Sequence, residues 1–242
     1  MSRGILIGTS GWNYRHWRGV FYPLSLPQSR WLTFYASRFT TVELNASFYR
    51  LPGITAFTAW YEQTPGDFIW SVKASRYITH IKKLLNVEEP LERFYSAVEG
   101  FREKLGPLLI QLPPSLRFDP SRFSEFCGRL DPALRHVIEV RHQSWLSDEA
   151  LSIMDDNNIA LCIADTAGRY PFLIAETADF LYIRLHGSTH LYVSEYDRGE
   201  LEEWARIITD FKGDVYVYFD NDFEGRAPKN AEQLRALLSP PQ

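Results

Sequence analysis

Short apolar, β-branched runs recur along the chain, separated by stretches where apolar residues return every three or four positions. The first pattern marks strands and the second amphipathic helices. Strands are predicted over 4–9, 40–46, 67–74, 106–112, 137–142, 159–165, 180–186 and 214–220. Helices are predicted over 30–38, 54–63, 88–104, 121–130, 147–157, 199–212 and 229–238. Within 88–104, for example, Leu91, Phe94, Tyr95, Val98 and Phe101 share one face. Ser121 is read as the cap of its helix, and Ser147-Asp148-Glu149-Ala150 carries capping chemistry for the next. The connection 166–179, with Pro171, has few helix signals.

Eight strands alternating with seven or eight helices in 242 residues predict an α/β fold, a single (β/α)8 TIM-like barrel over residues 1–242. A doubly wound open sheet is the competitor. Its dinucleotide fingerprint is missing, because the first strand runs into Gly8-Thr9-Ser10-Gly11-Trp12 and not G-x-G-x-x-G. The Pro-rich end, Pro240-Pro241-Gln242, reads as a frayed tail.

Strands of a parallel barrel are buried on both faces and should be almost wholly apolar. Here polar residues gather toward the strand ends: Glu43 and Asn45, Ser71 and Lys73, Gln111, Glu139 with Arg141 and His142, Asp165, Arg184 and His186, then Tyr218, Asp220 and Asn221. Residues two apart share a face of a strand. The pairs Glu43/Asn45, Glu139/Arg141, Arg184/His186 and Tyr218/Asp220 therefore project together into the C-terminal mouth, where sites of this fold lie. A purely structural plug of ion pairs is the alternative, but buried pairs add little net stability over apolar side chains.

Charge sharpens this picture. The chain has 26 basic and 30 acidic residues, a net of −4, so no overall basic field holds nucleic acid. Residues 1–85 nevertheless carry ten basic and only three acidic residues. The segment from Gly11 to Pro23 interleaves Arg15, His16 and Arg18 with Trp12, Tyr14, Trp17, Phe21 and Tyr22. It fits either a stacking, phosphate-holding loop or a lid whose aromatics pack inward. Two cysteines, Cys127 and Cys162, cannot make a disulfide framework or a four-thiolate zinc site, and read as buried thiols. No leader-like apolar segment and no run of about 18 apolar residues occurs, so a cytoplasmic protein without membrane contact is expected.

No metal ligand is assigned, because Lys73, Arg141 and Arg184 compensate the carboxylates as a metal would, and no H-E-x-x-H is present. No cofactor motif is found and no cofactor is expected, and no G-x-S-x-G marks a serine nucleophile.

The residues also carry a resemblance. Gly8-Thr9-Ser10-Gly11-Trp12 with Tyr14, Trp17 and Phe21-Tyr22-Pro23, then Thr41-Val42-Glu43-Leu44-Asn45 and Phe48-Tyr49-Arg50-Leu51-Pro52, are similar to motifs of the YecE-like family. So are Ser71-Val72-Lys73-Ala74 with Thr79-His80, Leu109 to Pro114, Glu139 to His142 with Trp145, Arg184 to Gly187, and Tyr218 to Asn221. The resemblance runs the length of the chain and implies a TIM-like barrel; it brings no reaction, since this is a domain-of-unknown-function family. That family usually has Phe-Asn-Asn after strand eight, where this chain has Phe219-Asp220-Asn221.

The reading that follows is an enzyme acting on a small anionic substrate, phosphate-bearing or sugar-like, by general acid–base chemistry. Glu43 or Glu139 serves as base or acid, with His186 or Asp165 as counterpart and Lys73 beside them. Lys73, Arg141 and Arg184 hold the anion. Asn45, Gln111, His142, Tyr218, Asp220 and Asn221 are candidate substrate contacts, with Trp12, Tyr49 and Trp145 as an aromatic rim. Asp220, Asp222 and Glu224 repel phosphate from the eighth strand, so the anion belongs toward strands 1–3, 5 and 7. One alternative is a metal-dependent nuclease or phosphoesterase with nucleic acid across the basic N-terminal loops; another is a non-catalytic ligand- or nucleotide-binding module.

Overall fold

The computed structural model describes residues 4–239, so the reading of Pro240-Pro241-Gln242 as a frayed tail lies outside the described residues. Eight parallel strands form one sheet: β1 (Ile5–Thr9), β2 (Thr41–Leu44), β3 (Ile69–Lys73), β4 (Leu105–Gln111), β5 (His136–Glu139), β6 (Ile159–Asp165), β7 (Phe180–Leu185) and β8 (Asp214–Phe219). Sequential strands are neighbours and β8 returns to pair with β1, which makes a TIM-like barrel. The helices between them are α1 (Trp31–Ala36), α2 (Ala46–Tyr49), α3 (Ile54–Glu62), α4 (Glu88–Val98), α5 (Pro120–Cys127), α6 (Asp148–Asp156), α7 (Arg198–Asp210) and α8 (Arg226–Leu238).

Seven of the eight junctions are ladders. The eighth, between β1 and β2, is a single bridge from Ser10 to Glu43. Below that bridge the strands are joined through a side chain. The Tyr35 hydroxyl accepts from the Thr9 N–H at 2.9 Å and donates to the Thr41 carbonyl at 3.0 Å. Glycine is required beside this junction, because a Cβ on Gly8 would collide with the Thr41 carbonyl oxygen.

The two faces of the sheet bury separate cores. Toward the helices lies a large aromatic and aliphatic cluster that includes Trp17, Trp70, Phe101, Phe123 and Trp145. Toward the axis lie Leu109, Val137, Ala160, Cys162, Phe180, Tyr182, Tyr216 and Tyr218. Both cysteines are buried and free, as expected. The axial residues are every second position of their strands, so the next inward positions are the polar strand ends.

Element boundaries depart from the sequence pattern where side chains stop a helix. Asp119, not Ser121, caps α5: its carboxylate accepts from the Arg122 N–H at 2.9 Å, with Pro120 in the first turn. The 88–104 stripe is helical only to Val98; tight turns follow, with Arg102 at φ 49°. They carry Lys104 back to α3, where its ammonium donates to the carbonyls of Tyr61 and Thr64, both at 2.7 Å. The segment 166–179 forms no helix. It lies against the start of β6, where Thr177 Oγ accepts from the Leu161 N–H and donates to the Ile159 carbonyl. A π-helical turn, Tyr77–Ile81, follows β3 and was not visible in the pattern. Among the described residues no helix is long and apolar enough to cross a membrane.

Candidate functional site

The inward positions of the strands end in a layer of charge centred on Arg184. Its guanidinium meets Glu43 with two nitrogens, at 2.8 and 3.0 Å, Glu139 at 2.6 Å and Asp220 at 3.2 Å. Arg184, Glu43 and Glu139 are 1%, 0% and 1% exposed. The remaining lone pairs of the two glutamates are also occupied. Tyr182 donates to Glu43 at 2.6 Å, and Ser10 donates to it as well. Gln111 donates to both oxygens of Glu139 at 2.8 and 2.9 Å, and Arg141 Nε adds a third contact at 3.1 Å. Asn45 donates to Ser10 at 2.8 Å, which ties α2 to the layer. His186 Nε2 lies 3.2 Å from Arg184, a pure donor, so the imidazole proton belongs on Nδ1, 2.9 Å from Asp220.

Above this layer a cavity of about 460 Å³ opens at the C-terminal mouth. Lys73, Arg141, Arg184, Asp220, Asn45 and Gln111 line it, with Tyr14, Phe48, Tyr49, His80 and Tyr192 around them. Arg141 Cζ lies over the Tyr170 ring, 4.5 Å from its centroid, and among the described residues its only side-chain hydrogen bond is from Nε to Glu139. Among the described residues Lys73 has no carboxylate within 4.0 Å; its ammonium sits 4.4 Å over the Phe48 ring.

The titrating groups respond to this crowding. Burial alone would push the Glu139 carboxyl up, but Arg184, then Arg141, His186 and Lys73, hold it well below the usual carboxylate range. Asp220 is likewise held low by Arg184, His186 and Lys73 against its burial. Burial, then Arg184, pulls Lys73 down to about 8, against the attraction of Glu139, Glu43 and Asp220. Burial, then Arg141, Lys73 and Arg76, pulls His80 down to about 4, so it is neutral at pH 7. Burial and the nearby Asp220 keep Tyr14 and Tyr192 protonated.

Several expected site residues stand elsewhere. Asp165 is on the other face of β6: Ala160, Cys162 and Ala164 point to the axis, while Leu161, Ile163 and Asp165 face the helices. Its carboxylate accepts from Tyr196 at 2.8 Å and lines a separate cavity of about 480 Å³ with Phe172, Glu200, Glu203 and Trp204. His142 faces away from the axis, and its Nδ1 accepts the Ser144 N–H at 3.1 Å, capping a turn. Trp145 is 1% exposed and donates to the Leu116 carbonyl, in the helix-side core. Trp12 is packed edge-on against Trp60 and Trp70. Tyr218 does face the axis but one layer lower, bonded to Thr41 at 2.7 Å. Asn221 is wholly buried and binds the Ser194 carbonyl and Asn230, so it fastens a loop to α8. The Gly11–Pro23 segment is a packed lid: Trp17 and Tyr22 are buried, and only Tyr14 reaches the cavity.

Ser10, Tyr14, Phe48 and His80, which the sequence marks only as motif or loop residues, also belong to the site, as do Tyr182 and Tyr192, which no motif marks. Ser10 and Tyr182 lie two residues from Gly8 and Arg184, so strand alternation alone would place them on the axis. Tyr192 comes from the loop after β7, and no sequence periodicity points to it.

Among the described residues no group of three or more His, Cys, Asp or Glu side chains is placed to hold a metal ion. Arg184 fills the space between the three carboxylates.

Comparison with known proteins supports a common architecture. The chain is 25% identical to the UPF0759 protein YunF of Bacillus subtilis (strain 168), covering 97% of this chain and 94% of the relative. A solved DUF72 family protein from Thermotoga maritima MSB8 superposes with a TM-score of 0.87 at 27% identity, over 98% of this chain and 99% of the other. One from Enterococcus faecalis V583 gives 0.85 at 20% identity over the same shares, a likeness of fold. A model of the family described as "Protein of unknown function DUF72" matches residues 6–242, and the chain belongs to that family.

Proposed function

We propose that this barrel is an enzyme that holds a small anionic substrate, phosphate-bearing or sugar-like, in the central cavity and works on it by acid–base chemistry. One observation carries the reading. All three carboxylates of the mouth bond Arg184, and Glu139 also takes Arg141 Nε, whereas among the described residues Lys73 forms no ion pair and no hydrogen bond from a terminal nitrogen of Arg141 is found, and both side chains line the cavity. A guanidinium fork suits phosphate or carboxylate oxygens, and an ammonium adds a point charge. Lys73, near 8, exchanges a proton close to neutral pH. Asp220, 2.9 Å from His186 Nδ1, is the carboxylate at the cavity wall. In this reading Glu43 and Glu139 position Arg184 and do not themselves meet the substrate.

Thermal melting with phosphate and with sulfate tests the site. A ligand at 100 times its Kd stabilises by about 2.7 kcal/mol, and Arg141→Met should remove the shift. A panel of phosphorylated sugars and organic acids followed by mass spectrometry then tests turnover. Consumption by the native chain but not by Lys73→Met is expected. Binding without consumption of any member would replace the enzyme by a binding module, and no shift with either anion would reject the anion site.

A further inference from the structure

We propose that the substrate is an aldehyde or ketone carrying an anionic group, and that the Lys73 amine condenses with its carbonyl to form an imine. This rests on the anion-site reading above and adds the functional group on which the site acts.

Placement is the first argument. Lys73 ends β3 on the axial face, is 8% exposed, and its remaining exposure is to the cavity. Its nitrogen lies 4.4 Å over the Phe48 ring, and among the described residues no carboxylate comes within 4.0 Å of it. The groups that face it are Glu43 from β2, Glu139 from β5, Arg184 from β7 and Asp220 after β8, with Arg141 and His80 on the cavity wall. The two glutamates and Asp220 are bonded to Arg184, so none is drawn off to pair the amine.

Function is the second. Proton transfer alone does not call for a buried, unpaired amine, because Asp220 and the neutral His80 already stand at the same wall. An amine held short of a counter-ion, in a desolvated pocket beside other cations, is the arrangement that keeps a lysine nucleophilic. Arg141 lines the same cavity, and with Nε on Glu139 its terminal nitrogens are left for the anionic group of the reacting molecule. A cavity of about 460 Å³ accommodates a small metabolite of this kind.

The step balances without a co-reactant. The Lys73 nitrogen forms a bond to the carbonyl carbon, and the carbonyl electron pair becomes a hydroxyl with one proton from the amine. The C–O bond then breaks, the oxygen leaves as water with the second amine proton, and a C=N bond remains. Once protonated, the imine draws electrons from the adjacent carbon and eases breakage of a C–H or C–C bond there.

Reductive trapping on the full chain tests this. The protein is incubated with sodium cyanoborohydride and pyruvate, or glyceraldehyde 3-phosphate, or uncharged glycolaldehyde, and digested for peptide mass spectrometry. The expected result is one reduced adduct on Lys73 with both anionic probes, formed on the order of ten times faster than on an ordinary surface lysine. Lys73→Arg keeps the cation and should lose the adduct while still melting higher with sulfate. Label confined to surface lysines, or equal label in Lys73→Arg, overturns the imine. If Lys73 stays unmodified while sulfate still stabilises the native chain, the imine fails and the anion site stands. If glycolaldehyde labels Lys73 as fast as the anionic probes and sulfate has no effect, the amine is reactive and the anionic substrate is rejected.

Discussion

A guanidinium has five N–H donors, and Arg184 directs its own at Glu43, Glu139, Asp220, Ser10 and His186. Replacing it by methionine leaves two wholly buried carboxylates without their central cation. Arg184→Met should therefore lose about 3–5 kcal/mol in urea unfolding, and adding Glu43→Gln and Glu139→Gln should restore much of that. Asp220 is a different case, because it stands at the cavity wall. Asp220→Asn gives this chain the Phe-Asn-Asn sequence that the resembling motif usually carries. It removes one of three carboxylates facing three cations, so sulfate or phosphate should bind about tenfold tighter by calorimetry. Unchanged affinity would place the anion away from Asp220. The charged pairs were legible in the sequence because charged residues two apart at the end of a doubly buried strand, such as Glu139 and Arg141, share its inward face. The phase of β6 was not legible, since its residues on both faces are apolar up to Asp165. Nor could composition tell that Trp12 and Trp145 face the helix-side core, because a rim tryptophan and a core tryptophan look alike in sequence.

At the scale of elements, the strand alternation and most helices could be read directly, for each needs only its own periodicity. What escaped were features made by partners distant in sequence. The four-residue α2 is tied to the site by Asn45 and Ser10. Past the end of α4 the chain turns so that Lys104 reaches the carbonyls of Tyr61 and Thr64. The junction of β1 with β2 depends on a phenol from α1. Tyr35→Phe keeps the ring packing and removes the hydroxyl, leaving the Thr9 N–H and the Thr41 carbonyl buried without that partner. A loss of about 1–3 kcal/mol is expected in denaturant unfolding. A change below the error of the measurement would mean that the two strands pair directly when the hydroxyl is gone.

For the whole molecule, the sign of each pKa displacement sets how stability varies with pH. His80 and His136 are both lowered to about 4, first by burial, so the folded chain resists protonating them. As pH falls from about 6.5, the unfolded chain takes up protons that the folded chain refuses, and stability declines. Below the ordinary carboxylate range Glu139 and Asp220, both held low, steepen that decline. Lys73 acts on the alkaline side. Its folded value near 8 lies below the unfolded 10.5, so its penalty is complete below about 8 and relieved as pH rises toward 10.5. Cys127, Tyr14 and Tyr35, all pushed up by burial, oppose that relief above about pH 9, so in melting across pH Lys73 is read from a difference: Lys73→Met should be more stable than the native chain by about 3 kcal/mol near pH 7, and that gain should shrink as pH rises from 8 to 10.5.

The lone bridge between β1 and β2 makes this barrel a split ring. Ser10 and Glu43 form that bridge and are also members of the charged layer, while Tyr14 and Asn45 stand on the cavity wall at either lip. A guest seated against both lips would span the one junction of the ring that has no ladder, so filling the mouth would also brace the hoop.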